Sequence, residues 1–258
     1  MPFSIIMLLA ALITACISGI FGMAGGMVFM AVITIYLGVS EAMVVHGAVQ
    51  SMSNSYRSYL LHTFIRWDVL GFHLIGALPV IIVLVFVSFA PDKRLLFVAL
   101  GLLPFLLWLP RGWFQGDAEK PSHAILCGSM IMTLNVTAGV AGPALDFFYI
   151  KTKMTRHQIV ATKAVTMFLS HMVKIAYFGI PLILACGTGT LPAWWVFALA
   201  LPCVMIGTFG GTRVLHRLND INFKYYTKYL VTAVGIYYLC RAAGYLGGVG
   251  SLLRECQL

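Results

Sequence analysis

Charge is scarce in this sequence. Of its 258 residues only 10% are Asp, Glu, Lys or Arg, and just 8 are acidic. Soluble domains carry about a quarter charged residues, so a water-solvated surface over most of the chain is excluded. Cysteine is thin as well. Cys16, Cys127, Cys186, Cys203, Cys240 and Cys256 never fall in CxxC spacing, which leaves neither a metal knuckle nor a disulfide framework legible and reads as small buried thiols. No GxxxxGK[ST], GxSxG or HExxH stretch occurs, so nucleotide drive within the chain and the commonest hydrolase chemistries find no support. Basic residues form no run. The formal charge of +9 comes from Lys and Arg in short loops, the positive-inside pattern of membrane proteins, and not from a nucleic-acid patch. Neither a cofactor, a metal nor a nucleic-acid partner is expected.

Apolar residues are abundant: 60% of the chain is hydrophobic and mean hydropathy is +0.94. Eight apolar stretches can be marked, at roughly 4–36, 40–60, 69–90, 94–110, 121–150, 158–184, 192–212 and 225–249, several reaching the ~20 residues that cross a bilayer. The first has no basic n-region and continues through a Gly-rich motif, so it does not read as a cleavable signal peptide. The expected fold is an all-α polytopic membrane protein of the inner (plasma) membrane, surrounded by lipid.

The chain repeats itself. Gly22-Met-Ala-Gly-Gly26 returns as Gly139-Val-Ala-Gly-Pro143. The same offset of 117 (139 minus 22) carries His46 onto Lys163, Ser53 onto Ser170, Asn54 onto His171 and Arg57 onto Lys174. Farther on, Ala77-Leu-Pro79 matches Ala200-Leu-Pro202, and Ala99-Leu-Gly101 matches Ala233-Val-Gly235. Two homologous repeats of four segments are therefore expected, 1–112 and 113–258, with their boundary near Arg111–Lys120. The first segment of each is too long for one span and is broken by glycines at mid-length. Two parses stay open: half-length helices meeting in re-entrant hairpins, giving 3+3 spans and inverted repeats, or eight plain spans with parallel repeats. Both put the termini on the less positive, external face.

Candidate functional residues gather at the breaks and just after them. Glycine permits backbone angles and close approaches that other residues forbid, and in lipid a broken helix is tolerated only where it lines a cavity or is buried in protein. Gly22, Ala24, Gly25, Gly26, Gly139, Ala141, Gly142 and Pro143 are thus candidates for a central site, with Pro143 at the first turn of a new helix whose N-terminus suits an anion. Thr133, Asn135 and Thr137 would add donors. Small-residue helix packing is the competing reading. On the next segment Lys163, Thr166, Met167, Ser170, His171 and Lys174 share one face, since eleven residues make three turns. The first repeat answers with His46, Gln50, Ser53, Asn54 and Arg57. Two basic faces would attract an anion, although Arg57 and Lys174 lie late enough to snorkel to the headgroups. His62 and His73 read as interfacial. Asp146 is expected to pair with Lys163, and proton coupling is its alternative role.

These residues resemble the TauE/SafE family of sulfite-exporter transporters. The resemblance rests on Gly19-Ile-Phe-Gly22-Met-Ala-Gly25-Gly26, on Gly139-Val-Ala-Gly-Pro143, and on Ala161-Thr162-Lys163-Ala164 followed by Ser170-His171-Met-Val-Lys174-Ile-Ala-Tyr177-Phe-Gly179. Ala24 and Met27 stand where members of the family often carry further glycines, and Met30 and Ala31 replace a common proline. The resemblance implies movement of a small anion: sulfite or an organosulfonate, with thiosulfate and carboxylates as alternatives. With no cysteine in either Gly motif, thiosulfate ranks below sulfite. A secondary transporter exporting that anion by alternating access is expected, with a channel as the alternative and no enzyme activity. Its partners would be the anionic substrate and membrane lipids.

Overall fold

The structure is a computed structural model and describes residues 2–21, 24–108, 116–149, 151–215 and 220–246. Gly22, Arg111 and Cys256, named above, lie outside them. The described residues are helical, in ten α-helices: α1 Pro2–Phe21, α2 Ala24–Tyr36, α3 Val39–Leu60, α4 Trp67–Val87, α5 Lys93–Leu102, α6 Pro121–Thr137, α7 Gly142–Phe147, α8 Arg156–Cys186, α9 Trp194–Leu215 and α10 Asp220–Leu246. A short 3-10 turn, Leu103–Trp108, extends α5. Among the described residues four helices are long and apolar enough to cross a membrane: Phe3–Ile20, Trp67–Val87, His157–Cys186 and Trp194–Val214.

Helices α1 and α2 pack against each other as the two legs of a hairpin, and so do α6 and α7. At the open end of the first pair the Phe3 and Tyr36 rings lie 5.2 Å apart. Nearer the turn, a Cβ on Gly25 would run into Thr14 O and Ser18 of α1. The second pair closes in the same manner. The Ala118 N–H donates to Phe148 O (2.8 Å) and the Lys153 N–H to a Glu119 carboxylate oxygen (2.6 Å). The legs are unequal, however. At ~1.5 Å per residue the 20 residues of α1 span the hydrocarbon core alone, whereas α7 has only 6 residues. "Half-length helices" describes neither hairpin: a glycine break marks where a helix stops, while neighbouring packing sets how far each leg runs.

Helices α3 and α8 form the axis and run antiparallel. His46 meets Lys174, a Cβ on Gly47 would meet Ile175, one on Gly179 would meet Val44, and near the other end Phe64 meets His157. The first hairpin opens beside the start of α3, and the second opens beside its end, where Arg66 reaches Glu119 (3.1 Å) and the Arg66 N–H donates to Thr162 Oγ1 (3.0 Å). The two hairpins therefore enter the bundle from opposite ends. Asp68, and behind it Glu119, hold the Arg66 guanidinium above its ordinary pKa, so this clamp stays ionised.

Packing around the axis is inside-out relative to a soluble bundle. Helix α3 turns Gln50, Ser53, Asn54 and His46 inward, while α4 shows Leu78, Ile82, Val83, Val85 and Phe86 outward. Lipid tails give no hydrophobic drive to helix association, so close contact of small residues takes its place. At Gly76 and Gly128, α4 and α6 approach so closely that a Cβ would strike Ile125 O or His73 O. Helix α1 rests on α9, and α5 on α10. Tyr238 of α10 donates to Met27 O at 2.7 Å, tying that helix to the first hairpin.

Cysteine departs from the thiol reading at one position. Cys186 is disulfide-bonded, while Cys16, Cys127, Cys203 and Cys240 are free and only Cys127 is buried. Membrane helices expose their outward faces to lipid, which is why small thiols on them need not be interior.

Candidate functional site

Where the hairpins overlap, their backbones are joined through α3 and α8. The imidazole Nε2–H of His46 donates to Gly26 O of the first hairpin at 3.1 Å. A carbonyl can only accept, so His46 is in its Nε2–H form and its Nδ1 carries a lone pair. That lone pair accepts a hydrogen bond from Lys174 Nζ at 2.8 Å, and the same Nζ donates to Gly139 O of the second hairpin, also at 2.8 Å. The result is one continuous bridge, Gly26 O to His46 to Lys174 to Gly139 O.

The bridge is sealed. Lys174 is 0% exposed, His46 1% and His171 4%. A buried ammonium is tolerated only when its protons are satisfied, and the break supplies the acceptor. Gly139 has φ +71°, a left-handed angle open to glycine at little cost, and this frees its carbonyl from the helix ladder. Met30 and Met43 fill the space where a Cβ would stand. Snorkelling of Lys174 to the headgroups, left open by the sequence, does not occur: α8 has 31 residues and continues a further twelve positions to Cys186.

His171 stands edge-on to His46 with ring centroids 5.5 Å apart. Its Nδ1 is buried without a hydrogen-bond partner among the described residues. Asn135 donates from Nδ2 to Ser170 O at 2.8 Å, while its Oδ1 is likewise unpartnered there. Unsatisfied buried polar atoms are rare and point to water or a ligand. Between α4, α6 and α8 lies a cavity of about 40 Å³ lined by His73, Met132, Thr166 and Ser170 among others, room for a water or two. His73 is only 4% exposed. It is buried inside the protein, because α6 covers that face of α4 through the Gly76–Gly128 contact.

The other expected site residues divide into two sets. Ala24, Gly25, Ala141, Gly142 and Pro143 are buried at the starts of α2 and α7 and shape the breaks. Arg57, Lys163 and Asp146 gather elsewhere: Lys163 and Asp146 form an ion pair with side chains 19% and 37% exposed. Eleven residues separate Lys163 from Lys174, about 16 Å along the helix, so Lys163 is not at the break with His171. Ser53 bonds to Thr208 of α9 (3.2 Å), and Asn54 donates to Gln50 O of its own helix. Thr133 and Thr137 bond back to Ser129 O and Thr137's neighbour one turn earlier, Thr133 O, so their hydroxyl protons are taken.

Sequence reasoning did not find the role of the Gly139 carbonyl or the Arg66–Glu119 clamp. A positive φ has no signature beyond the glycine itself, and the clamp joins residues 53 positions apart. Among the described residues no group of His, Cys, Asp and Glu is placed to hold a metal.

Comparison with known proteins adds the lineage. The family described as "Sulfite exporter TauE/SafE" matches residues 7–238, and the chain belongs to it. No curated protein and no solved structure matches the chain.

Proposed function

From membership of the TauE/SafE family, a family of membrane transporters, we propose that this chain is a secondary transporter of the inner (plasma) membrane that exports a small anion, sulfite or an organosulfonate. The observation that carries this reading is the sealed Lys174 bridge. A buried lysine sits where two helix breaks meet, and two of its donor positions are taken up by His46 and Gly139 O. The third, with the free edge of His171, is offered to an anion. Alternating access follows from the same bridge. Each hairpin enters from its own end, and movement of one against the other would open Lys174 to that side.

Pairwise packing supports a duplicated, inverted architecture. Helix α1 lies on α9 as α6 lies on α4, and α3 meets α9 as α8 meets α4. Helices α3 and α8, and α5 and α10, pair with each other, as equivalent elements do about a two-fold axis.

The test is uptake into proteoliposomes of labelled sulfite, sulfoacetate, thiosulfate, sulfate and acetate, with Lys174→Gln beside the wild type. Saturable uptake of one sulfur anion, reduced at least tenfold in the variant, is the expected result. Wild-type protein of proven fold that takes up none of the panel would overturn the sulfur-anion reading. Electrical currents far above transporter turnover would replace the transporter with a channel.

A further inference from the structure

Beyond the bridge, and resting on the transport reading of it, α3 and α8 carry a second basic pair. His46 and Arg57 are eleven residues apart on α3, as are Lys163 and Lys174 on α8. Because the helices are antiparallel, the contact of His46 with Lys174 sets Arg57 beside Lys163, and the two cations lie near enough to repel each other. The pair sits toward the end of the bundle where the second hairpin opens. There α7 returns alongside α8 and brings Asp146 onto Lys163.

This cluster differs from the bridge in three respects. It is partly open: Asp146 is 37% and Lys163 19% exposed, against 0% for Lys174. Its charges do not cancel, since two cations face one carboxylate. And Arg57 keeps a buried guanidinium nitrogen, Nη2, with no partner among the described residues. A buried guanidinium N–H without an acceptor is costly, and a planar donor fork beside an ammonium suits an oxyanion.

We propose that Arg57 and Lys163 form an outer anion station about 16 Å from the Lys174 bridge, with the Asp146 carboxylate as a tethered resident anion that the substrate oxyanion displaces from Lys163. In the empty protein Asp146 neutralises one of the two cations. The remaining positive charge draws the oxyanion in, and the oxyanion takes the place of the carboxylate on Lys163 while Arg57 Nη2 supplies a further donor. Asp146 thereby sets the affinity of the entrance: a resident competitor weakens capture and speeds release toward the bridge. Among the described residues Asp146 from α7 and Arg57 from α3 are the charged side chains that face Lys163, with the Cys127 thiol of α6 also near it.

The test is equilibrium binding of sulfite and of sulfoacetate to the purified full chain in detergent, read by thermal shift and titration calorimetry, which does not depend on transport. Asp146→Asn removes the competitor and is expected to tighten binding three- to tenfold. Asp146→Glu keeps it and should stay within twofold of wild type. Lys163→Gln, alone or combined with Asp146→Asn, should weaken binding at least tenfold. The double variant removes the Lys163–Asp146 ion pair whole and leaves neither of its members unpaired, which guards against a misfolded single variant. Asp146→Asn binding no tighter than wild type, or a double variant binding as wild type does, overturns the outer station. Tightened binding in Asp146→Asn without uptake by the wild type would leave the station standing and remove the transport reading alone.

Discussion

At the residue scale the account turns on how a membrane helix keeps an ammonium. Lys174 donates to a carbonyl freed by a left-handed glycine and to an imidazole whose other nitrogen is fixed by a second break. Lys174→Met removes both donors at once and leaves Gly139 O and His46 Nδ1 buried without partners. A loss of about 1–3 kcal/mol is expected, read as a lower unfolding temperature in detergent; an unchanged temperature would show that the bridge is not structural. Gly139→Ala should cost a similar amount, about 1–3 kcal/mol for a non-glycine residue held at left-handed angles, with Met30 and Met43 crowding the new methyl. The basic stripes of α3 and α8 were readable in the sequence because their spacing is three turns. Which cation meets which partner was not, since that depends on the antiparallel register of two helices more than a hundred residues apart.

At the element scale, glycines decide how closely helices meet. Gly76 lies against the Ile125 backbone, whereas a Cβ on Gly71 of the same helix would meet nothing within 4 Å. Gly76→Ala should therefore destabilise the α4–α6 contact by about 1–3 kcal/mol. Gly71→Ala should be neutral or slightly stabilising, gaining helix propensity. Equal effects in a thermal-unfolding assay would contradict close packing as the cause. The all-helical character expected from the apolar stretches reappears among the described residues. The inequality of the hairpin legs was hidden, because a twenty-residue α1 and a six-residue α7, apolar but for Asp146, both lie within long apolar stretches. The burial of His73 was not readable, because the helix that covers it lies about fifty residues on.

At the scale of the whole molecule, two hairpins entering from opposite ends imply that successive loops alternate between membrane faces. Helix α4 alone separates Thr63 from Arg94, and both are exposed. In a background cleared of the free cysteines, Thr63→Cys and Arg94→Cys should be labelled by a membrane-impermeant thiol reagent from opposite sides of the membrane. Labelling of both from one side would contradict α4 as a span. The membrane class and the family were legible from composition and from the two Gly motifs with the Ser170–Gly179 block, and the match over residues 7–238 agrees with that resemblance. The cargo was not legible, because an oxyanion is held by backbone and ammonium groups that many anions share.

The central claim is that Lys174, held between the two chain breaks, binds the transported anion. Titration calorimetry of sulfite into wild type and Lys174→Gln, both shown to be folded, tests it most directly. The account predicts saturable binding by the wild type and, in the variant, at least tenfold weaker binding at the bridge, about 1.4 kcal/mol or more, with the station at Arg57 and Lys163 retained. Equal affinity in the two proteins would place the anion elsewhere and contradict the account.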